Sequence, residues 1–328
     1  MKYTQKTFDK AEAVLSQRRK DSAADLERRR ERVYAKMPEV KTLENKIQSS
    51  YFELVKLVAN HEPNAKSAAE IVRDNNLATQ ARITMLVKNL TGDADYLKPR
   101  FVCEKCRDTG YVEGVRCSCF EDLLRTYAAE ELNESSTIAL RDFAEYRPEF
   151  YPEGDPRKHM NQIYSYLLKY CREFPRGTRP MLFIGRTGLG KTFLASCMAK
   201  KLASDGFSVA IGSVSDFMRK IEDEHFGRSE GNTLDTLLQA DFVIIDDLGS
   251  EFSSPFYEAA FYSVINGRIN QKKPTVITTN LTKAELNNKY NERICTRLLN
   301  EFLPIQFVGN DIRQQKMENR LTKNQRKV

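Results

Sequence analysis

The sequence predicts an α/β fold: a P-loop core with a five-stranded parallel sheet and flanking helices, preceded by a helical, cysteine-bearing N-terminal region. Three observations carry that prediction. From about residue 158 onward, short apolar runs alternate with amphipathic stretches, the pattern of strands joined by helices. The octapeptide Gly185-Arg186-Thr187-Gly188-Leu189-Gly190-Lys191-Thr192 follows the apolar run MLFI and precedes the helix-like TFLASCMAKKLA. Four cysteines fall within residues 103–119, in a segment with too little apolar material for its own core.

The elements follow in chain order. Residues 1–95 are rich in Ala, Glu, Lys and Arg and read as a helical, partly coiled-coil-like partner-binding region. Within it, Ala11–Lys36 spaces Val14, Leu15, Leu26 and Val33 widely among charges, which predicts an exposed helix or loose coiled coil. Thr42–Val58 is better periodic: Leu43, Ile47, Phe52, Leu54, Val55 and Val58 offer one apolar face. A third helix is expected over Ser67–Leu90, after a break at Pro63 and Asn64. Residues 96–125 form the four-cysteine module, and 126–157 a connecting helix and linker, the linker being EYRPEFYPEGDPR at 145–157. Residues 158–328 form the core, with strands expected at Met181–Ile184, Ser208–Ile211, Phe242–Asp246, Thr275–Thr279 and Pro304–Val308.

Composition narrows the classes of function. With 41% hydrophobic and 30% charged residues, the chain reads as globular with a highly charged surface. No apolar run approaches the roughly 20 residues that cross a bilayer, and the charged start lacks the apolar stretch of a secretory signal, so a cytoplasmic protein without membrane contact is expected. A net charge of +7 leans toward an anionic partner such as nucleic acid, although Lys and Arg are also common on solvated helices. The seven cysteines do not form a secreted disulfide framework; Cys171, Cys197 and Cys295 read as buried thiols.

The octapeptide is a phosphate cradle. Gly185, Gly188 and Gly190 let backbone N–H groups of the loop, with Thr187 and Leu189, turn onto phosphate oxygens, and the following helix adds its positive dipole end. Lys191 reaches the β- and γ-phosphates of ATP, and the Thr192 hydroxyl ligates Mg2+. The apolar strand FVII ends in Asp246 and Asp247. At the C-terminal edge of a parallel sheet, Asp246 would face the metal and Asp247 would orient or deprotonate the attacking water. A further strand, TVITT, ends at Asn280, which is expected near the γ-phosphate between the other two strands.

Cys103 and Cys106, then Cys117 and Cys119, offer four thiolates suited to a structural Zn2+ site. The second pair has one intervening residue where two are usual, so its knuckle is tighter. A closed four-cysteine site leaves no open position for catalysis. His61, His159 and His225 stand apart and read as surface or packing histidines.

With these residues in hand, the C-terminal half resembles the DnaC/DnaI helicase-loader branch of the AAA+ ATPases. The resemblance lies in GRTGLGKTFLA at 185–195, VIIDDLGSE at 243–251, VITTNL at 276–281, ERICTRLL at 292–299 and FVGNDIR at 307–313. CEKCRDTGYV also looks like the zinc-containing region of loader-type proteins. The resemblance implies that Asp246 and Asp247 are the Walker B pair and Asn280 is sensor 1. It further implies that Arg297 is an arginine finger reaching a neighbouring copy's ATP, with Arg293 the competing candidate, and that Arg313 is sensor 2. Single-stranded DNA would meet residues just after Walker B, at Ser253, Ser254, Pro255, Phe256 and Tyr257, although Tyr257 reads better as the start of a core helix; Lys272 and Lys273 are candidate phosphate contacts that read as solvated. About fifteen residues follow Arg313, too few for a full helical lid.

The function so implied is an ATP-dependent loader. It would bind ATP and single-stranded DNA and engage a replicative hexameric helicase through its N-terminal region, with weak hydrolysis as a switch. Two alternatives remain open: an IstB-like transposition helper, and a nucleotide-gated DNA-binding adaptor with negligible hydrolysis, which the short Asp247 permits.

Overall fold

The computed structural model describes residues 3–59, 65–252, 254–315 and 317, without the side chains at 53, 54, 56–59 and 65–68. Expectations for His61, Pro63, Asn64 and Ser253, and for the side chains of Leu54 and Val58, lie outside the described residues. The chain divides into two compact units, Glu12–Phe120 and Met1–Ala11 with Glu121–Val328. Among the described residues no helix is long and apolar enough to cross a membrane.

Three long helices and a small cysteine module make up the first unit. The helices are α1 (Gln5–Lys36, which belongs to this unit from Glu12 onward), α2 (Pro38–Ala59) and α3 (Ala65–Thr91). Val33, Val40 and Val87 are buried together, with Tyr34, Met37, Ile83 and Leu90 packed around them. Arg29 is buried, its Nε donating to Asp25 Oδ2 at 2.8 Å and its Nη1 to the carbonyls of Tyr96 and Lys98, which ties the segment after α3 back to α1. The apolar face expected on α2 is not wholly covered: Phe52 and Val55, with Ile71, Leu77 and Met85 of α3, remain exposed. The antiparallel β1 (Tyr111–Val112) and β2 (Val115–Arg116) form a hairpin between the two cysteine pairs.

In the second unit, a parallel sheet carries the strands in the order β4 (Val209–Ser213), β5 (Phe242–Leu248), β6 (Thr275–Thr279), β3 (Met181–Ile184) and β7 (Leu303–Gln306). Alternation along each strand builds a core on both faces. Phe242 and Ile244 join Met181, Phe183 and Val276 under α5 (Asp155–Glu173) and α6 (Lys191–Ser204). Val243 and Ile245 join Leu182, Ala210 and Ile277 under α7 (Val214–His225), α8 (Thr233–Gln239), α9 (Pro255–Asn270), α10 (Lys283–Lys289) and α11 (Glu292–Glu301). Expected strand ends shift by one to two residues at β4, β5 and β7.

Two polar residues fix the frame. Asn133, the last residue of α4 (Ser118–Asn133), donates from Nδ2 to Val209 O at 2.6 Å and accepts from Ile211 N at 2.8 Å. It thereby occupies one outward carbonyl and one outward amide of the edge strand β4. Arg268, wholly buried on α9, donates to the carbonyls of Leu237, Ala240 and Pro274 and to Thr275 Oγ1 at 2.6–2.8 Å. Burial lowers its pKa to about 9, since no carboxylate sits among those partners.

The segment 145–157 differs from its expectation as a linker. It begins in two single-turn helices, Phe143–Glu145 and Pro148–Phe150, and carries the buried Tyr151. Its prolines and aromatics pack a wall of the core: Tyr146 stacks on Tyr164 at 4.5 Å, and Tyr151 Oη donates to Leu189 O at 3.1 Å.

Candidate functional site

Three strand ends meet at the C-terminal edge of the sheet. β3 runs into the glycine loop, whose left-handed Gly188 and Gly190 (φ 81° and 92°) turn the chain tightly into α6. A Cβ at Gly188 would run into the Asp311 carboxylate, so the loop and the segment after β7 touch at a left-handed position that favours glycine. Asp247, at the end of β5, also has a left-handed backbone (φ 58°), and the β5–β6 pairing is irregular between Ile245 and Leu248. That bulge turns the second aspartate away from the pleat.

The side chains then converge. Lys191 is buried, and its Nζ donates to Gly185 O at 2.6 Å, Arg186 O at 2.9 Å and Asn280 Oδ1 at 2.7 Å. Thr192 Oγ1 donates to the Asp246 carboxylate at 2.9 Å, and Thr278 Oγ1 donates to Asp246 Oδ1 at 2.7 Å. Asn280 Nδ2 donates to Asp247 Oδ1 at 2.8 Å, so one amide touches both the lysine and the second aspartate. Burial lowers the Lys191 ammonium to about 8, against the pull of Asp246 and Asp247 and helped by Arg313. Burial likewise raises Asp246, against the hydrogen bonds from Thr278 and Thr192.

These residues line a cleft of about 670 Å3 together with Thr187, Gly188, Leu189, Gly190 and Arg313. Its opposite wall is the 137–151 segment, including Ile138, Tyr146 and Tyr151, which sequence reasoning missed. The crowding of Pro and aromatics was the available signal, but it reads equally well as a linker. The contact of Ile312 N with Gly188 O at 2.9 Å was also missed, because nothing local in GNDIR names its partner. Gly185 closes the loop behind the cleft, where a Cβ would meet Phe307 O at 2.8 Å. Arg297 lies on α11, is not among the cleft-lining residues and faces Glu301 at 3.7 Å; Arg293 is exposed one turn earlier.

The cleft fits a magnesium nucleotide on its own chemistry. A buried ammonium sits within a ring of carbonyls at the start of a helix, and a hydroxyl and a carboxylate already share one small polar spot. The fold and this cleft define an AAA+ nucleotide-binding domain, with the P-loop strand between β6 and β7 and the aspartate strand beside β6.

The chain belongs to the family of IstB-like ATP binding proteins, whose profile matches residues 127–318. It is 30% identical over 141 residues to "Replicative helicase loader DnaC" of Escherichia coli (strain K12), covering 42% of this chain and 57% of that protein. It is 27% identical over 139 residues to "Replicative helicase loader DnaI" of Bacillus subtilis (strain 168), covering 42% and 44%. The matched segment thus spans about half the length of these curated relatives. The crystal structure of the DnaC helicase loader aligns with a TM-score of 0.45 at 21% identity, covering 51% of this chain and 96% of that one. That of DnaI aligns at 0.43 and 21% identity, covering 56% and 93%.

The four cysteines of the first unit come together as a separate polar centre. Their Sγ atoms all lie within 4.8 Å of one another, with Cys103 and Cys117 3.7 Å apart and Cys106 and Cys119 3.4 Å apart. Tetrahedral Zn–S bonds of about 2.3 Å put sulfurs roughly 3.8 Å apart, so this spacing fits zinc. Asp108, fully buried and left-handed (φ 56°), accepts from the amides of Val102 at 2.8 Å and Cys103 at 3.0 Å and so shapes the first knuckle. The Cys106 amide lowers the Cys103 thiol, while burial and the neighbouring thiols raise Cys119, so the four sulfurs share their protons as one cluster.

Proposed function

We propose that this chain is an ATP-dependent loader of a replicative hexameric helicase. The observation that carries the reading is the convergence of Lys191, Asp246, Asp247 and Asn280 on one cleft, in a domain 30% identical over 141 residues to a curated helicase loader. In this reading residues 158–328 hold the ATPase machinery, residues 1–95 engage the helicase, and residues 96–125 carry a structural zinc that replaces an apolar core.

The cleft residues then have distinct tasks. The backbone of Gly185–Gly190 and the Lys191 ammonium hold the phosphates, and Thr192 with Asp246 holds Mg2+. When bound, Mg2+ neutralises charge on the phosphate oxygens. Asp247 accepts a hydrogen bond from the attacking water, with Asn280 fixing its carboxylate. Arg313 already lines the cleft and balances negative charge there, while Arg297 lies outside it and acts on a neighbouring copy's nucleotide. Such an arginine contributes on the order of a thousandfold to turnover. Hydrolysis is therefore slow in an isolated chain and assembly makes it a switch.

Single-stranded DNA is the proposed second ligand. Phe226 packs 5.8 Å from Phe256 beside His225, with the Arg228 guanidinium 5.3 Å from the Phe226 ring. An exposed Phe226, backed by the half-buried Phe256 and next to a cation, suits base stacking, worth roughly 1–3 kcal/mol per base. The test is association of the full chain with the hexameric helicase of its own cell, with and without ATP. Retention of an intact ATPase domain without helicase association refutes the loader. The family match favours a second reading, an IstB-like transposition helper. Stimulation of a transposase without helicase association would establish it. Turnover equal in wild type, Lys191→Ala and Arg297→Ala, with ATP still tuning DNA affinity, would establish the nucleotide-gated adaptor instead.

A further inference from the structure

Glu251 is the acid that ends VIIDDLGSE, and no part of the nucleotide chemistry uses it. Its side chain is only 5% exposed, in a loop whose next residue, Phe252, is 89% exposed. Oε2 accepts from Gly249 N at 2.8 Å, and Oε1 accepts from the hydroxyl of Tyr290. Lys289 Nζ lies 3.6 Å from Oε1 and donates to the carbonyls of Gly249 and Glu251. A buried carboxylate and a buried phenol therefore share one cluster with a half-buried ammonium.

Both ends of this cluster lead somewhere. Toward the cleft, Ser250 donates from N and Oγ to Asp247 O at 3.1 and 2.8 Å, so the loop is fastened to the backbone of the second aspartate. Away from it, Tyr290 closes α10 and is followed by Asn291, the cap of α11, whose Oδ1 accepts from Ile294 N at 3.1 Å. Asn291 Nδ2 also donates to Glu258 Oε2 at 2.8 Å, fastening the same cap to α9. Arg293 and Arg297 stand on the helix that this cap begins. Buried charge clusters persist only in good geometry, because a partner displaced leaves an uncompensated group behind. An apolar pair would glue the loop to the helix more cheaply; the polar set fixes its position.

We propose that Glu251 is a positioning residue that couples the phosphate cleft to α11, so that the arginine one copy offers its neighbour is placed by the loop after its own β5. The inference rests on the reading of Arg297 as acting in trans.

Mixtures of full-length chains test it. Arg297→Ala lacks the arginine and Lys191→Ala lacks the phosphate contact, so each alone turns over ATP poorly. Mixing restores turnover, because the Lys191→Ala copy lends its arginine to an intact cleft. Adding Glu251→Ala to the Lys191→Ala copy is expected to cut the restored rate about tenfold or more, although that copy's own cleft is idle. Glu251→Gln in the same copy is expected to keep the rate within about twofold, because its amide can accept from Gly249 N and donate to Tyr290 Oη. Should Glu251→Ala lose its cooperative melt, Tyr290→Phe in the same copy takes its place, with a loss of about fivefold expected. Equal rescue by the donor with and without the folded substitution overturns the inference. No rescue in the parent mixture overturns the trans arginine itself, and the coupling with it.

Discussion

Lys191 and Asn280, 89 positions apart in sequence, meet at 2.7 Å between Nζ and Oδ1, while the same amide donates to Asp247 at 2.8 Å. The amide is oriented at both ends: its oxygen must face the ammonium and its nitrogen the carboxylate. A group so fixed is prepared for a transition state rather than for binding alone.

Asn280→Ala is therefore expected to lower steady-state turnover on the order of a hundredfold, while the dissociation constant for a fluorescent ATP analogue changes only a few-fold. Equal losses in binding and turnover would mean that Asn280 serves the lysine alone.

Burial brings Lys191 from 10.5 down to about 8. Between those values the unfolded chain holds more protons than the folded one, so this group makes stability rise with pH across the window from about 8 to 10.5. Phosphate oxygens beside the ammonium restore its preference for the proton. ATP binding at pH values just above 8 is thus expected to take up a proton, read by calorimetry in two buffers of different ionisation enthalpy. Lys191→Met should abolish that uptake.

Asp108 shapes the first cysteine knuckle through two backbone amides, one of them belonging to Cys103. Asp108→Ala is expected to weaken zinc about 10–100-fold in competition with a chromogenic chelator. The ATPase unit should keep its melting transition, since the cysteines belong to the other unit.

Arg268 satisfies three carbonyls and a hydroxyl with no acid among them. Arg268→Met leaves those acceptors buried and unpaired, at about 3 kcal/mol, or roughly 6–12 °C in melting temperature. Thermal unfolding of the full chain measures it. A shift within a degree of wild type would show that water replaces the guanidinium.

Much of the second unit was legible because its signals are local and repeated. MLFI, FVII and TVITT are apolar runs with polar ends, and a parallel sheet brings such ends to one edge regardless of helix detail. The glycine loop, Asp246, Asp247 and Asn280 follow from that rule alone. The segment 137–151 was not legible, because whether Tyr146 and Tyr151 face solvent or a cleft depends on the distant Tyr164 and Leu189. Arg268 was hidden for a similar reason: its partners are carbonyls, which leave no mark in a sequence. On α2 the periodicity was real, yet it did not foretell that Phe52 and Val55 stay uncovered.

The sheet is fenced along both rims. Asn133 takes up one carbonyl and one amide of β4, those of Val209 and Ile211, and at the other rim Leu303 and Phe307 donate inward, which places the imino nitrogen of Pro304 on the outward side. Another chain finds only an interrupted ladder at each rim. For copies that associate as proposed, helices and loops offer a contact that can be made and released with the nucleotide, unlike the near-permanent stitching of strand onto strand.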